Sequence, residues 1–167
     1  PHREVLRIWP VYCYIKLYEQ YSRAAAASAG NKEHQKRYQD YADRYLNTAE
    51  QTVKKLDDAP PPRQSGEYSL YKLVRALMRV QDARKSEAEG SEVEAAEHYR
   101  QSVLEVTEGI VSARVGLSWL PESLMMAGDA YEKLELFDPA RNVYKQVSIF
   151  FKSTKWETMS KSRLAEL

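Results

Sequence analysis

Three histidines, one cysteine and 24 carboxylates are the residues of this 167-residue chain that could do acid–base, nucleophilic or metal chemistry. His2, His34 and His98 fall in three separate segments, and none has a second His or Cys at the i+3 or i+4 spacing of a helical metal motif. Glu94 and His98 are four residues apart, which on an acidic helix face reads as a surface hydrogen bond. Cys13, the single cysteine, allows no internal disulfide and no cysteine metal cluster, and reads as a buried thiol. No glycine-rich phosphate loop, nucleophile elbow or Cys–His signature occurs, and no two carboxylates stand apart in an apolar setting as an acid and a base. The chain is expected to be noncatalytic, with no metal and no cofactor.

The other chemically distinctive residues are tyrosines. Tyr14, Tyr18 and Tyr21 repeat at i, i+4 and i+7, and Tyr38, Tyr41 and Tyr45 at i, i+3 and i+7, so each set lies on one helix face. Two such stripes either pack as a seam, with hydroxyls reaching the rim, or leave an aromatic trough for a ligand. Tyr18 is the residue assigned to a trough. A ligand-binding helical domain lined by Tyr14, Tyr18, Tyr41 and Tyr45 is the alternative function.

Helices must position these residues. Helical periodicity runs through nearly the whole chain, without strand-like alternation, so the fold class is all-α. Breaks at Gly30, Asp57–Gly66, Gly90, Val115–Pro121, Phe137–Pro139 and Ser153–Thr154 predict helices over 3–29, 31–57, 67–89, 91–114, 119–136 and 138–152, with a last one from 155. Gly30 and Gly90 suit left-handed helix ends, Asn31 and Ser91 suit the caps that follow, and Asp138 before Pro139 suits a cap followed by proline at the first helical position. Short turns force antiparallel pairs. The expected organisation is a single domain, 1–167, of hairpins 3–57, 67–114 and 119–152 with a closing helix.

With 25 basic and 24 acidic side chains the net charge is +1, so no global field draws the chain to nucleic acid or an anionic membrane. No apolar run approaches the roughly 20 residues of a membrane span. Charge is uneven along the chain, however. Glu87, Glu89, Glu92, Glu94, Glu97, Glu105 and Glu108 make the middle acidic, and Arg141, Lys145, Lys152, Lys155, Lys161 and Arg163 make the C-terminal part basic. Solvated helix faces, or steering of a partner or second copy, are the two readings.

The segment AAEHYRQS at 95–102 echoes ARNVYKQV at 140–147, aligning Ala95 with Ala140 and Tyr99 with Tyr144. A second echo, DARK at 82–85 against DAYEK at 129–133, precedes the turns. In the last hairpin Leu124, Ala127, Gly128, Tyr131, Ala140 and Tyr144 stand at the spacing of a tetratricopeptide repeat, which this segment resembles. Leu124 replaces that family's tryptophan, Lys152 stands near its helix-ending proline, and residues 1–114 are tetratricopeptide-like only in part. The resemblance implies a right-handed α-solenoid of stacked hairpins whose first helices line a concave face that holds a protein or peptide. Carried onto this chain, the partner-binding positions are Glu122, Met125, Asp129, Glu132 and Lys133, and, shifted through the Gly90 turn, Arg75, Met78, Asp82 and Lys85, with both methionines exposed.

The expected function is therefore a noncatalytic scaffold for protein–protein or protein–peptide interaction, with no nucleic-acid partner and no membrane insertion. Either more repeats follow the C-terminal end or that end meets another subunit, in which case Trp156 and Met159 form an exposed terminal contact patch for self-association. The chain starts at Pro1 and stops within a helical pattern, which marks it as a fragment or processed form. WLPESLMMAGDAYEKL resembles bacterial envelope repeat proteins of the outer-membrane assembly-lipoprotein kind, which implies the periplasm. The cytoplasm is the other compartment considered.

Overall fold

The computed structural model describes residues 3–112 and 119–167, and every regular element in them is a helix: α1 (Arg3–Ala27), α2 (Lys32–Asp58), α3 (Gly66–Ala88), α4 (Glu92–Ser112), α5 (Leu120–Lys133), α6 (Phe137–Phe150) and α7 (Lys155–Glu166). The protein is all-α, with antiparallel hairpins α1–α2, α3–α4 and α5–α6 in the manner of a helical-repeat protein. Packing divides the chain into two compact units, Pro1–Pro61 and Pro62–Leu167. The division falls inside the run Pro60–Pro62, where proline can neither continue a helix nor donate a backbone hydrogen bond. Pro1, His2, most of the break expected at Val115–Pro121 and the end of the hairpin expected to reach 114 lie outside the described residues.

In the first unit, Asn31 caps α2, its Oδ1 accepting from the His34 N–H at 3.1 Å. The buried face of α2 alternates tyrosine with small residues in a heptad: Tyr38, Ala42, Tyr45 and Ala49, closing with Leu56. Tyr14 stacks on Tyr45 at 6.2 Å, and Tyr21 lies 6.2, 5.3 and 5.6 Å from Tyr38, Tyr41 and Tyr45. The two stripes are a packed seam in which the rings meet one another, each pair adding about 0.5–1.5 kcal/mol beyond burial. Gly30 does not take the expected left-handed conformation. The end of α1 tightens instead, with the Ser28 N–H shared between Ala24 O and Ala25 O and the Asn31 N–H donated to Ser28 O.

In the second unit, α4 packs on α5, and α7 packs on α6 and touches α5. The turns of its two hairpins are superimposable in their hydrogen bonds at an offset of 45 residues. The Ser91 N–H donates to Ser86 O at 2.8 Å, as the Leu136 N–H donates to Tyr131 O at 2.9 Å. The Gly90 N–H reaches Glu87 O at 3.1 Å, as the Glu135 N–H reaches Glu132 O at 2.9 Å. Both closures need a left-handed residue, Gly90 at φ 78° and Glu135 at φ 59°. The second turn therefore precedes the expected Phe137–Pro139 break. Helix α6 starts at Phe137, and Asp138, expected as its cap, sits in the first turn and pairs with Arg141 at 2.9 Å.

Candidate functional site

The 45-residue offset places equivalent side chains at the two hairpins of the second unit. Tyr144 is fully buried, and its ring lies against Gly128, where a Cβ would stand 2.7 Å from Tyr144 Cζ. Tyr99, at the matching place, packs with Ala83 and with Ala130 of α5. Gly128 and Ala83 are equivalent, so a small residue at this point on the first helix admits the aromatic ring of the second.

Each tyrosine points toward a glutamate twelve residues before it, and each glutamate meets a cation from the next helix in the row. At the second joint the Tyr144 hydroxyl donates to Asp129 Oδ1 at 2.6 Å and makes a shorter contact with Glu132 Oε1. Arg163 of α7 closes over both acids, 3.1 Å from Asp129 and 3.8 Å from Glu132. Burial, then the hydrogen bonds to the two carboxylates, push the Tyr144 pKa far up, so the phenol stays a donor. Burial opposes the Arg163 charge, but the two acids outweigh it and raise its pKa. At the first joint Lys133 of α5 binds Glu87 at 2.9 Å and lies 5.8 Å from the Tyr99 ring centre. The Tyr99 hydroxyl is buried without a hydrogen-bond partner among the described residues, and burial with the nearby Glu87 charge holds its pKa up at about 12.

The first hairpin has an ionic cluster of its own. Lys72 Nζ sits 2.6 Å from Glu105 and 2.7 Å from Glu108, while Arg75 Nε adds 2.8 Å to Glu105 and Tyr68 donates to Glu108 at 2.5 Å. Burial works against the Lys72 charge, but hydrogen bonds to both glutamates prevail and raise its pKa to about 12. Hydrogen bonds from Lys72 and Tyr68 hold the Glu108 pKa below the usual carboxylate range. Gly109 makes the approach of Lys72 possible, since a Cβ there would stand 2.8 Å from Lys72 Cβ.

These contacts reassign most of the residues expected to face a partner. Met78 and Met125 are 8% and 5% exposed, which corrects the expectation that both line an open groove. Met125 belongs to the core between α5 and α6 with Ala140, Tyr144 and Val147. Asp129 and Glu132 turn to Tyr144 and Arg163, Lys133 to Glu87, and Arg75 to Glu105 and the Tyr71 hydroxyl. Asp82 lies 3.7 Å from Arg79, Lys85 is exposed, and Glu122 and Tyr18 are half-buried. Trp156 packs against the α5–α6 core, and Met159 stays 46% exposed. For the α3 positions the misassignment is one of register. The DARK/DAYEK echo is offset by 47 residues, whereas the turns have no insertion and fix 45, so Asp129 is equivalent to Arg84 and not to Asp82.

The joints themselves were not anticipated. The signal for them is the shared spacing of Glu87 to Tyr99 and Glu132 to Tyr144, legible once the second-helix echo is extended backward. No described helix is long and apolar enough to cross a membrane. No family model, curated protein or solved structure matches the chain.

Proposed function

We propose that this protein is a noncatalytic helical-repeat scaffold that holds a protein or peptide partner, tetratricopeptide-like in the hairpin α5–α6. The observation supporting this reading is the duplicated joint of the second unit, in which a tyrosine and a glutamate of one hairpin receive a cation from the next helix. Such a joint builds a row from nearest-neighbour contacts, the mode of construction of repeat scaffolds. The span from the start of α5 at Leu120 to that of α7 at Lys155 is 35 residues, near the ~34 of a tetratricopeptide unit. A tyrosine-lined ligand cavity has less support, because the rings of α1 and α2 meet one another.

Among the residues first assigned to the partner, Asp82 and Lys85 remain available on α3. Affinity capture with the full chain is expected to retain a specific protein that is lost on Asp82→Lys/Lys85→Glu, with helix content and melting unchanged. Retention unaffected by that change, together with turnover of a small molecule, would reverse the reading.

A further inference from the structure

The acidic middle and basic C-terminal part of the sequence are sorted by the fold into charges already matched and charges left over. Glu87 is matched by Lys133, Glu105 and Glu108 by Lys72, and Glu97 by Arg100. Arg141 is matched by Asp138, Lys161 by Glu157, and Arg163 by Asp129 and Glu166. The acids left exposed are Glu89, Glu92 and Glu94, gathered at the α3–α4 turn around Val93, which is 85% exposed. The bases left are Lys145, Lys152 and Lys155, gathered at the end of α6 around Ile149 and Phe150, 59% and 73% exposed. Lys155 is also held over the Trp156 ring, 4.4 Å from its centre, which directs it along this end.

These two clusters lie at opposite ends of the second unit. Ala130, near the end of α5, packs beside Tyr99, near the start of α4, so α5 runs back toward the α3–α4 turn. Helix α6 then leads away from that end, and its 14 residues carry Ile149 and Phe150 roughly 20 Å from it at 1.5 Å per residue. One molecule cannot bring its own clusters together. Two molecules can, since each offers an acidic end with an apolar centre and a basic end with an apolar centre.

We propose that the α3–α4 turn of one copy docks on the α6–α7 end of a second, joining unlike ends. The contact joins unlike ends, so it builds open chains or closed rings according to the rotation between successive copies. Ends of this size bury much less than the roughly 1,600 Å² of a stable complex, so association is weak and concentration-dependent. The charges set its rate and salt dependence, and the apolar centres hold it.

Sedimentation equilibrium of the full chain tests this. The average mass of the wild type is expected to rise with concentration at low salt and to fall back toward the monomer at about 0.5 M salt, where the screening length drops well below 8 Å. The variants Glu89→Lys/Glu92→Lys/Glu94→Lys and Lys145→Glu/Lys152→Glu/Lys155→Glu are each expected to remain monomeric alone. An equimolar mixture of each variant with the wild type caps chains, and Ile149→Ser/Phe150→Ser abolishes association at every salt concentration. Circular dichroism checks that each variant keeps its helices. A wild type that stays monomeric at millimolar concentration would overturn the proposal, as would charge variants that associate undiminished. So would binding of the lysine end to vesicles of anionic phospholipid without self-association, which would assign that end to a lipid surface.

Discussion

The two joints of the second unit share a plan and differ in how completely it is carried out. At Tyr144 the phenol has two carboxylates and an arginine fork; at Tyr99 it has one nearby carboxylate and a lysine. The missing carboxylate traces to one equivalent position, where Asp129 is replaced by Arg84, which turns aside to Gln81 Oε1 at 3.3 Å. The first hairpin has other means of holding together, the Lys72–Glu105–Glu108 cluster over Gly109. Both hairpins are thus fastened between their own two helices, but only α5–α6 shares its main ionic cluster with the next helix, through Arg163. A repeat keeps its backbone register while the source of its cohesion moves.

The largest expected break in this comparison is Gly128→Ala. Alanine is the better helix former by about 1 kcal/mol, but the methyl meets a ring with no room to retreat at a cost of about 3 kcal/mol, so urea denaturation should show a net loss of about 2 kcal/mol. The reciprocal Ala83→Gly should lose only about 1 kcal/mol.

Next come the phenols. Tyr144→Phe removes a donor from two acids and should cost about 2 kcal/mol, whereas Tyr99→Phe removes a hydroxyl without a partner and should be neutral within about 0.5 kcal/mol. Equal losses at both sites would dissolve the distinction between the joints.

The hairpins should also differ in acid. A carboxylate whose folded pKa is depressed contributes stability above its unfolded pKa, near 4.3, and that stability is lost as pH falls through the folded value. Glu108 is such a group, so Glu108→Gln should lower the melting temperature at pH 7, and the gap to the wild type should narrow as the pH falls below the usual carboxylate range. A gap that does not narrow at all on acidification would mean that shape, not charge, is what Glu108 supplies.

Smaller effects separate the two cations and the two turns. Arg163→Ala should cost about 1 kcal/mol, because its guanidinium bridges the three carboxylates of Asp129, Glu132 and Glu166; Lys133→Ala, at an exposed pair, should cost less than about 0.5 kcal/mol. Glu135→Gly should gain about 0.5 kcal/mol by relieving a left-handed glutamate, giving the second turn the residue that the first already has.

Helix positions were readable from the sequence to within about three residues, because periodicity, Asn31, Gly90 and the prolines act locally. The second-helix echo at Tyr99 and Tyr144 was readable for the same reason. Legibility failed where a local pattern had two registers. The short match of Asp82 with Asp129 outweighed the turn, because sequence similarity does not record which carbonyl a turn amide reaches. Met78 and Met125 were placed outside because methionine suits both adaptable surfaces and irregular cores, and only the neighbouring helices decide between them.

By itself the sequence determined an all-helical chain, its breaks, the tyrosine stripes and the uneven run of charge, since each follows from propensities and periods acting within a turn or two of helix. Tertiary structure alone decided that the rings of α1 and α2 close on one another, that the turns hold a 45-residue register, and which charges are matched. Those outcomes depend on atoms brought within a few ångströms from positions far apart in the chain, as when Arg163 reaches Asp129 across 34 residues. Coulombic and packing energies at that range are set by geometry, which residue order constrains but does not spell out.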